Sequence, residues 1–522
     1  MSSPRRNDEL SPRLRALADL MPGEMREGAG MHDYDGRVCD LSPAGVEAAL
    51  ARLGGDPLDD PHDEAHTAAF EEGLRVELGE LELHRSNPLH HLGLLDVSGY
   101  DRPYAPEADR ARAREAHLAQ WPRAVDNALA AMDRVPAPVA RSLIGAARGL
   151  ADGLPQGIPE DLRETALAAH TRLIAHLEKA AVHGPASAAL GADALARLMG
   201  AGEAAEVDLE DLAARADAER DRLRDRLAAS VSRLAPGREA MEAARELTRQ
   251  YPDAEEVLDS ARRWTELASA FTAERGLVPF DDGECLVDVS PPSQRWATAM
   301  MAWSGPWEAD TPSFYYITPP DPSWGEEETG EWLEMFSHTT LPAISVHEVA
   351  PGHFSHSRAL RRAPSPARRA LQSMAFAEGW AHYAEEMCLE EGFGEYAAER
   401  LGDPSWTADH YEVGVWLEAL IRVTRLSVAI GVHTGAMTVE EAAARFSEDT
   451  PLQGPAALSE AQRATFDPTY GRYTWGKLEI LRLREEARTR WGDGFGTARF
   501  HAALLDLGSP PLGLIGTALE RG

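Results

Sequence analysis

The chain has 522 residues, 43% of them hydrophobic, and carries 86 acidic against 52 basic side chains for a net charge of −34. Such a field repels polyanions, which excludes nucleic acid and anionic membrane surfaces as partners and favours a small or peptide-like substrate. Three scattered cysteines, Cys39, Cys285 and Cys388, supply neither a disulfide framework nor a thiolate metal site and suit a reducing compartment.

The first ten residues carry charge but lead into no apolar run, and no stretch of about 18 apolar residues occurs, so the expectation is an unexported, cytoplasmic protein. Ser42 is placed to cap a helix in which Val46, Ala49, Leu50 and Leu53 recur at helical spacing before Gly54-Gly55. The same periodicity predicts helices over 61–86, 106–134, 136–152, 159–182 and 207–234, punctuated by Pro and Gly. Residues 287–292 and 313–318 read as strands ended by prolines, a small sheet in a helical protein. The acidic, breaker-rich stretch 319–330 reads as an exposed loop near a site entrance. Thr340 then looks like an N-cap with Pro342 in the first turn, so that His347 and Glu348 fall on a new helix. Further helices are expected over 409–432, 438–447, from about 477 to 490, and near 497–507. There is no internal repeat and no long linker, so residues 1–522 are expected to form one unit. Within it, 1–280 forms an N-terminal helical half and 281–522 holds the chemistry.

That chemistry centres on His347-Glu348-Val-Ala-Pro351-Gly352-His353. Two neutral imidazoles can hold a zinc ion while the adjacent carboxylate takes a proton from the water it activates. The familiar spacing places the histidines at i and i+4, but position i+4 here is Pro351. On an unbroken helix, i+6 points roughly 240° away from i. Both rings can meet one metal only if the helix is interrupted, and Pro351-Gly352 can interrupt it. A third ligand would come from the carboxylates of a helix-like stretch over 376–386, since catalytic zinc commonly takes two histidines and a glutamate.

These segments, with Glu378-Gly-Trp-Ala381, Arg422-x-x-Arg425…His433 and Tyr473-x-x-Gly476-Lys477, resemble bacterial domain-of-unknown-function family 885 in order along nearly the whole chain. That family looks related in fold to the Taq-type zinc carboxypeptidases. The resemblance implies a mainly α, metallopeptidase-like fold with a long cleft and a small β-sheet near the metal site. It further implies one zinc per chain, with His347, His353 and Glu378 as ligands and Glu348 as general base. Two positions depart from the family pattern. Phe354 replaces a second histidine, for which His356 is a candidate substitute, and His382 stands where an apolar residue is usual, one turn from Glu378.

The expected reaction is metal-assisted amide hydrolysis, probing a peptide or peptide-like substrate in a carboxypeptidase-like manner, and a homodimer is compatible with it. Tyr473 is the candidate donor to the developing oxyanion, against an alternative as a packed aromatic. Arg422, Arg425, His433 and Lys477 are candidates for holding a substrate carboxylate. Arg422 and Arg425 also sit one turn apart on a glutamate-rich helix, where a structural ion pair is the ordinary fate. Lys477 is one of only two lysines, the other being Lys179. The alternative functions are a metal-dependent amidohydrolase of a small metabolite and a binding protein that has lost catalysis.

Overall fold

The break between the two histidines governs the local architecture, and a computed structural model shows how the surrounding chain holds it. The structure describes residues 10–521 apart from 281, 292–294, 296 and 310, so the charged N-terminal residues 1–9 lie outside it. The protein is mainly helical with a small three-stranded sheet.

The elements around the histidines are α1 (Leu209–Leu234), α2 (Val257–Arg275), β1 (Cys285–Val289), β2 (Ala299–Ala302), β3 (Ser313–Ile317), α3 (Thr340–Glu348), α4 (His353–Leu360), α5 (Met374–Glu390), α6 (Ala408–Thr434) and α7 (Arg472–Trp491). The sheet has the order β1-β3-β2, with β1 parallel and β2 antiparallel to β3. The central strand is buried along its whole length, as a strand covered on both faces should be. Helix α3 packs against α2, α5 and α6, α1 lies along α6, and α5 runs against α7.

One core cluster draws side chains from Leu195 through Trp264, Tyr315, Val346, Trp380 and Leu420 to Leu519, so a division at residue 280 runs through it. A satellite core over Leu92–Leu177 gathers the helices Trp121–Ala131, Ala137–Asp152 and Glu160–His183. Buried ion pairs tie the N-terminal part to the rest: Arg102 grips Glu308 with both terminal nitrogens, and Arg368 Nε meets Asp63 at 2.6 Å.

Several expected elements differ in extent. The helix expected over 106–134 is two helices, Glu107–Leu118 and Trp121–Ala131, because Pro122 cannot donate and crowds the preceding turn. The one expected over 61–86 is α-helical to Leu74, widens into a π-helical stretch over Arg75–Glu80, and has Glu82 left-handed at φ 48°. The first strand begins at Cys285 and ends at Val289, with Pro292 outside the described residues, and β2 was not anticipated, its four residues being too short for a clear alternation. The expected loop 319–330 turns helical at Glu326, where Glu328 reaches back to accept from Gly325 N. Thr340 lies inside its helix, and Ser337 Oγ accepts the Thr340 N–H instead. Helix α2, also not anticipated, buries Val257, Ala261, Trp264, Ala268 and Phe271 at helical spacing.

Helix α7 begins at Arg472, five residues earlier than expected, so Tyr473, Gly476 and Lys477 are all helical. Gly476 allows α7 to touch α5 backbone to backbone: a Cβ there would lie 2.0 Å from the Ala375 carbonyl oxygen and 2.8 Å from Gly379 Cα. A Cβ on Gly379 would in turn lie 2.5 Å from Gly476 Cα. Replacing Gly476 with Ala must therefore push the two helices apart. We expect a loss of about 1–3 kcal/mol, the usual cost of overpacking, read as a lower urea midpoint by circular dichroism.

Candidate metal centre

Helix α3 stops at Glu348, immediately after His347. The Val349 N–H still reaches the Ser345 carbonyl, but Gly352 N returns to the Val346 carbonyl at 3.2 Å and Ser355 N to that of Val349, after which α4 continues. The fold-back requires glycine, since a Cβ at 352 would lie 1.9 Å from the His347 carbonyl oxygen. Trp380 of α5 donates from Nε1 to the Pro351 carbonyl at 2.9 Å, so the helix carrying Glu378 also fixes the turn between the histidines.

The consequence is that the two imidazoles meet. Their ring centroids lie 4.8 Å apart at 90°. Oε2 of Glu378 sits 3.5 Å from His347 Nε2 and 3.4 Å from His353 Nε2. The three ligand atoms lie within 4.8 Å of one another, and among the described residues this is the one such His/Cys/Asp/Glu cluster. Burial opposes the charge on Glu378, yet the two imidazoles hold its carboxyl well below the usual range. Burial and Arg422 work against a charge on His347, but Glu378 and Glu385 outweigh them and raise the imidazole to about 9. The spot therefore stabilises positive charge, whether a proton or a cation.

Glu348 is buried beside His347, and its carboxylate has no hydrogen-bond partner among the described residues. Tyr473 stands one turn before the Gly379–Gly476 contact, half-buried, with its phenol raised by burial first and then by the charge of Glu378. Arg425 lies over its ring at 5.3 Å.

The other candidates are engaged elsewhere. Arg425 makes a two-pronged pair with Glu460 at 2.8 and 2.6 Å. Arg422 meets Glu385 at 3.1 Å and Glu418 at 3.3 Å. His433 Nε2 bonds the Ala464 carbonyl at 2.7 Å, and burial lowers its pKa. Lys477 is fully buried, with Nζ 2.6 Å from Glu386 and 3.4 Å from Glu219. Ion pairing is thus the arrangement of both arginines and of the lysine. His356, far from being exposed, is buried against Phe376, with Nε2 bonded to the Gly508 carbonyl and a pKa pushed by burial to about 4. It does not join the three-residue cluster, and Phe354 is buried in the core. His382 is also buried, its pKa lowered to about 3 by burial and then by Lys477, with Nδ1 3.7 Å from Glu385.

Glu385 was not singled out in the sequence. Its Oε1 lies 2.6 Å from His347 Nδ1. The available signal was its spacing: it follows Glu378 by two helical turns and so shares its face.

The chain belongs to the family described as bacterial proteins of unknown function (DUF885), whose profile matches residues 24–519. A "putative lipoprotein of unknown function" from Shewanella oneidensis shares the fold with a TM-score of 0.74 at 19% identity, covering 97% of this chain and 98% of that one. A "putative lipoprotein" from Colwellia psychrerythraea does so with a TM-score of 0.76 at 18% identity, covering 98% and 96%. No curated protein matches the sequence. The descriptions of these two structures overturn the expectation of a cytoplasmic protein, which rested on cysteine count and on the lack of an apolar run. Among the described residues, no helix is long and apolar enough to cross a membrane.

The pairing of Lys477 generates a stability prediction. Lys477→Met leaves Glu386 and Glu219 buried with only Arg222 between them, and should cost about 3–5 kcal/mol, as removing one partner of a buried pair does. Denaturant titration checks it.

Proposed function

We propose that this protein is a zinc-dependent hydrolase of peptide or peptide-like amide bonds, with one metal held by His347, His353 and Glu378. The observation that carries the reading is the spacing of one glutamate oxygen from two imidazole nitrogens, 3.5 and 3.4 Å. Hydrogen bonds between such groups are shorter, whereas ligands of a tetrahedral zinc, each at its usual bond length, stand about 3.3–3.5 Å apart. Glu378 Oε2 also makes no hydrogen bond, as suits a ligand atom. The set of two histidines and one glutamate leaves a position open for water or substrate, which is the composition of catalytic rather than structural zinc sites.

Such an ion, when bound, would polarise a substrate carbonyl and lower the pKa of a water toward about 7. Glu348 is the group to take that water's proton and to return it to the leaving nitrogen, since it follows His347 directly in the chain and its buried carboxylate makes no hydrogen bond among the described residues. The Tyr473 hydroxyl, also without a partner among the described residues, would donate to the oxygen on which negative charge develops. Arg425, clamped by Glu460 and lying over the Tyr473 ring, would keep that phenol in place.

The carboxypeptidase form of the reading needs a cation for the substrate's free carboxylate. Arg422, Arg425 and Lys477 are already paired with glutamates, so they do not favour the carboxypeptidase form over amide hydrolysis without a specified end of the chain. Comparing matched peptides with free and amidated C-termini decides the point: equal cleavage removes the carboxypeptidase form and leaves the hydrolase.

Protein prepared without chelator should contain one zinc per chain by elemental analysis. A His347→Ala, Glu378→Ala double variant should contain none, and an unchanged metal content there would sink the site. Glu348→Gln should keep the metal and lose about 10²–10⁴ in turnover of the matched peptides that the wild type cleaves. Tyr473→Phe should lower kcat with little change in KM, because an oxyanion donor acts on the transition state; a change confined to KM would instead make Tyr473 a binding residue.

A further inference from the structure

We propose that Glu385, itself held by Arg422, is a positioning residue that orients His347 and thereby sets the affinity of the centre for its metal. The inference rests on the zinc-site reading above. An ionised carboxylate can only accept, so the 2.6 Å contact to Glu385 Oε1 requires His347 to donate from Nδ1. Nε2 is then the atom turned toward Glu378 and His353, and a metal bound there would take the place of its proton. Both ring nitrogens of His347 thus meet carboxylates two turns apart on one helix, Glu378 on the metal side and Glu385 on the other. A single rigid element fixes the ring from two sides.

Glu385 is in turn immobilised. Its Oε2 accepts from Arg422 Nη1 at 3.1 Å, Arg422 Nη2 is paired with Glu418 at 3.3 Å, and the Tyr411 hydroxyl donates to the Glu385 backbone carbonyl at 2.8 Å. Glu385 is completely buried, and Arg422 is 6% exposed. Stability alone gives little reason for this arrangement, because withdrawing each ion from water costs several kcal/mol and apolar residues of similar volume often serve a fold as well. Holding an imidazole in one tautomer and one orientation is a task that apolar residues cannot perform. Held between Glu385 and Glu418, Arg422 supports the centre rather than the substrate.

The test is a zinc titration against a chromophoric chelator, with far-ultraviolet circular dichroism of each metal-free protein as the folding control. Glu385→Gln removes the charge and should weaken zinc about 10–100-fold, as the loss of such outer partners does elsewhere. Glu385→Leu combined with Arg422→Met and Glu418→Gln removes the pair together with the second carboxylate that Arg422 holds, so that neither is stranded, and should fall at the weaker-binding end of the same range. It carries the test if the single variant does not fold. Glu386→Gln alters the next residue, equally part of a buried ion network but bonded to Arg222 and Lys477, and should leave zinc affinity unchanged. In the zinc-loaded wild type, long-range ¹H–¹⁵N spectra should show the His347 proton on Nδ1. A wild type that binds no zinc defeats the metal-site reading itself. A wild type that binds zinc, with both Glu385 variants binding it as tightly, overturns this inference alone. Equal weakening in Glu386→Gln also overturns it, since the effect would then be a general loss of buried charge.

Discussion

Everything at the candidate centre depends on the interruption between α3 and α4. The two histidines stand six positions apart, and a continuous helix would aim them at different neighbours. The chain instead folds back so tightly that a Cβ on Gly352 would run into the His347 carbonyl, which leaves no room for a side chain there. Trp380 closes the same turn from the neighbouring helix. Because Trp380 lies two residues beyond Glu378, the turn and the third candidate ligand are fixed by one element. The Glu-Gly-Trp-Ala motif thereby acquires a physical meaning residue by residue. Glutamate faces the cluster, glycine admits α7, and tryptophan locks the turn.

Charge in this interior is organised along the same helix. Glu385 and Glu386 are consecutive, yet one belongs to the His347–Arg422 set and the other to the Lys477–Arg222–Glu219 set. Burial works against ionisation of both, and their cationic partners overcome it, holding Glu386 at about 2 and Glu385 lower still. Two independent networks therefore leave one helix in different directions and anchor it to α6, α7 and α1. A helix held in this way by hydrogen-bonded charges has little freedom to slide, which suits an element bearing a ligand.

Much of this was legible in the chain. Proline at i+4 announced that the helix must break, and a carboxylate to join the two histidines was expected within the stretch that holds Glu378. The mainly helical class with a small sheet followed from hydrophobic periodicity and two β-branched, aromatic runs. What stayed hidden were pairings between residues distant in sequence. Arg422, Arg425 and Lys477 look alike as free cations until their glutamates, 37, 35 and 91 positions away, are brought beside them. Glu385 was obscured for the same reason, since a carboxylate two turns from a ligand gains a role only when an imidazole is folded against it. The early start of α7 was hidden by Gly476, which reads as a breaker in sequence but serves here as a point of contact.

The core that joins Leu195 to Leu519 has a consequence for how the molecule is made. Contacts that span more than three hundred residues cannot form until most of the chain has been synthesised, and topologies rich in such contacts assemble slowly. The histidines emerge from the ribosome well before α7, the helix against which α5 must close. During that interval the face of α5 around Ala375 and Gly379 lacks its final cover, and exposed apolar surface of this kind invites association with other chains. The protein is therefore expected to depend on folding assistance during its synthesis more than its mainly helical content alone would suggest.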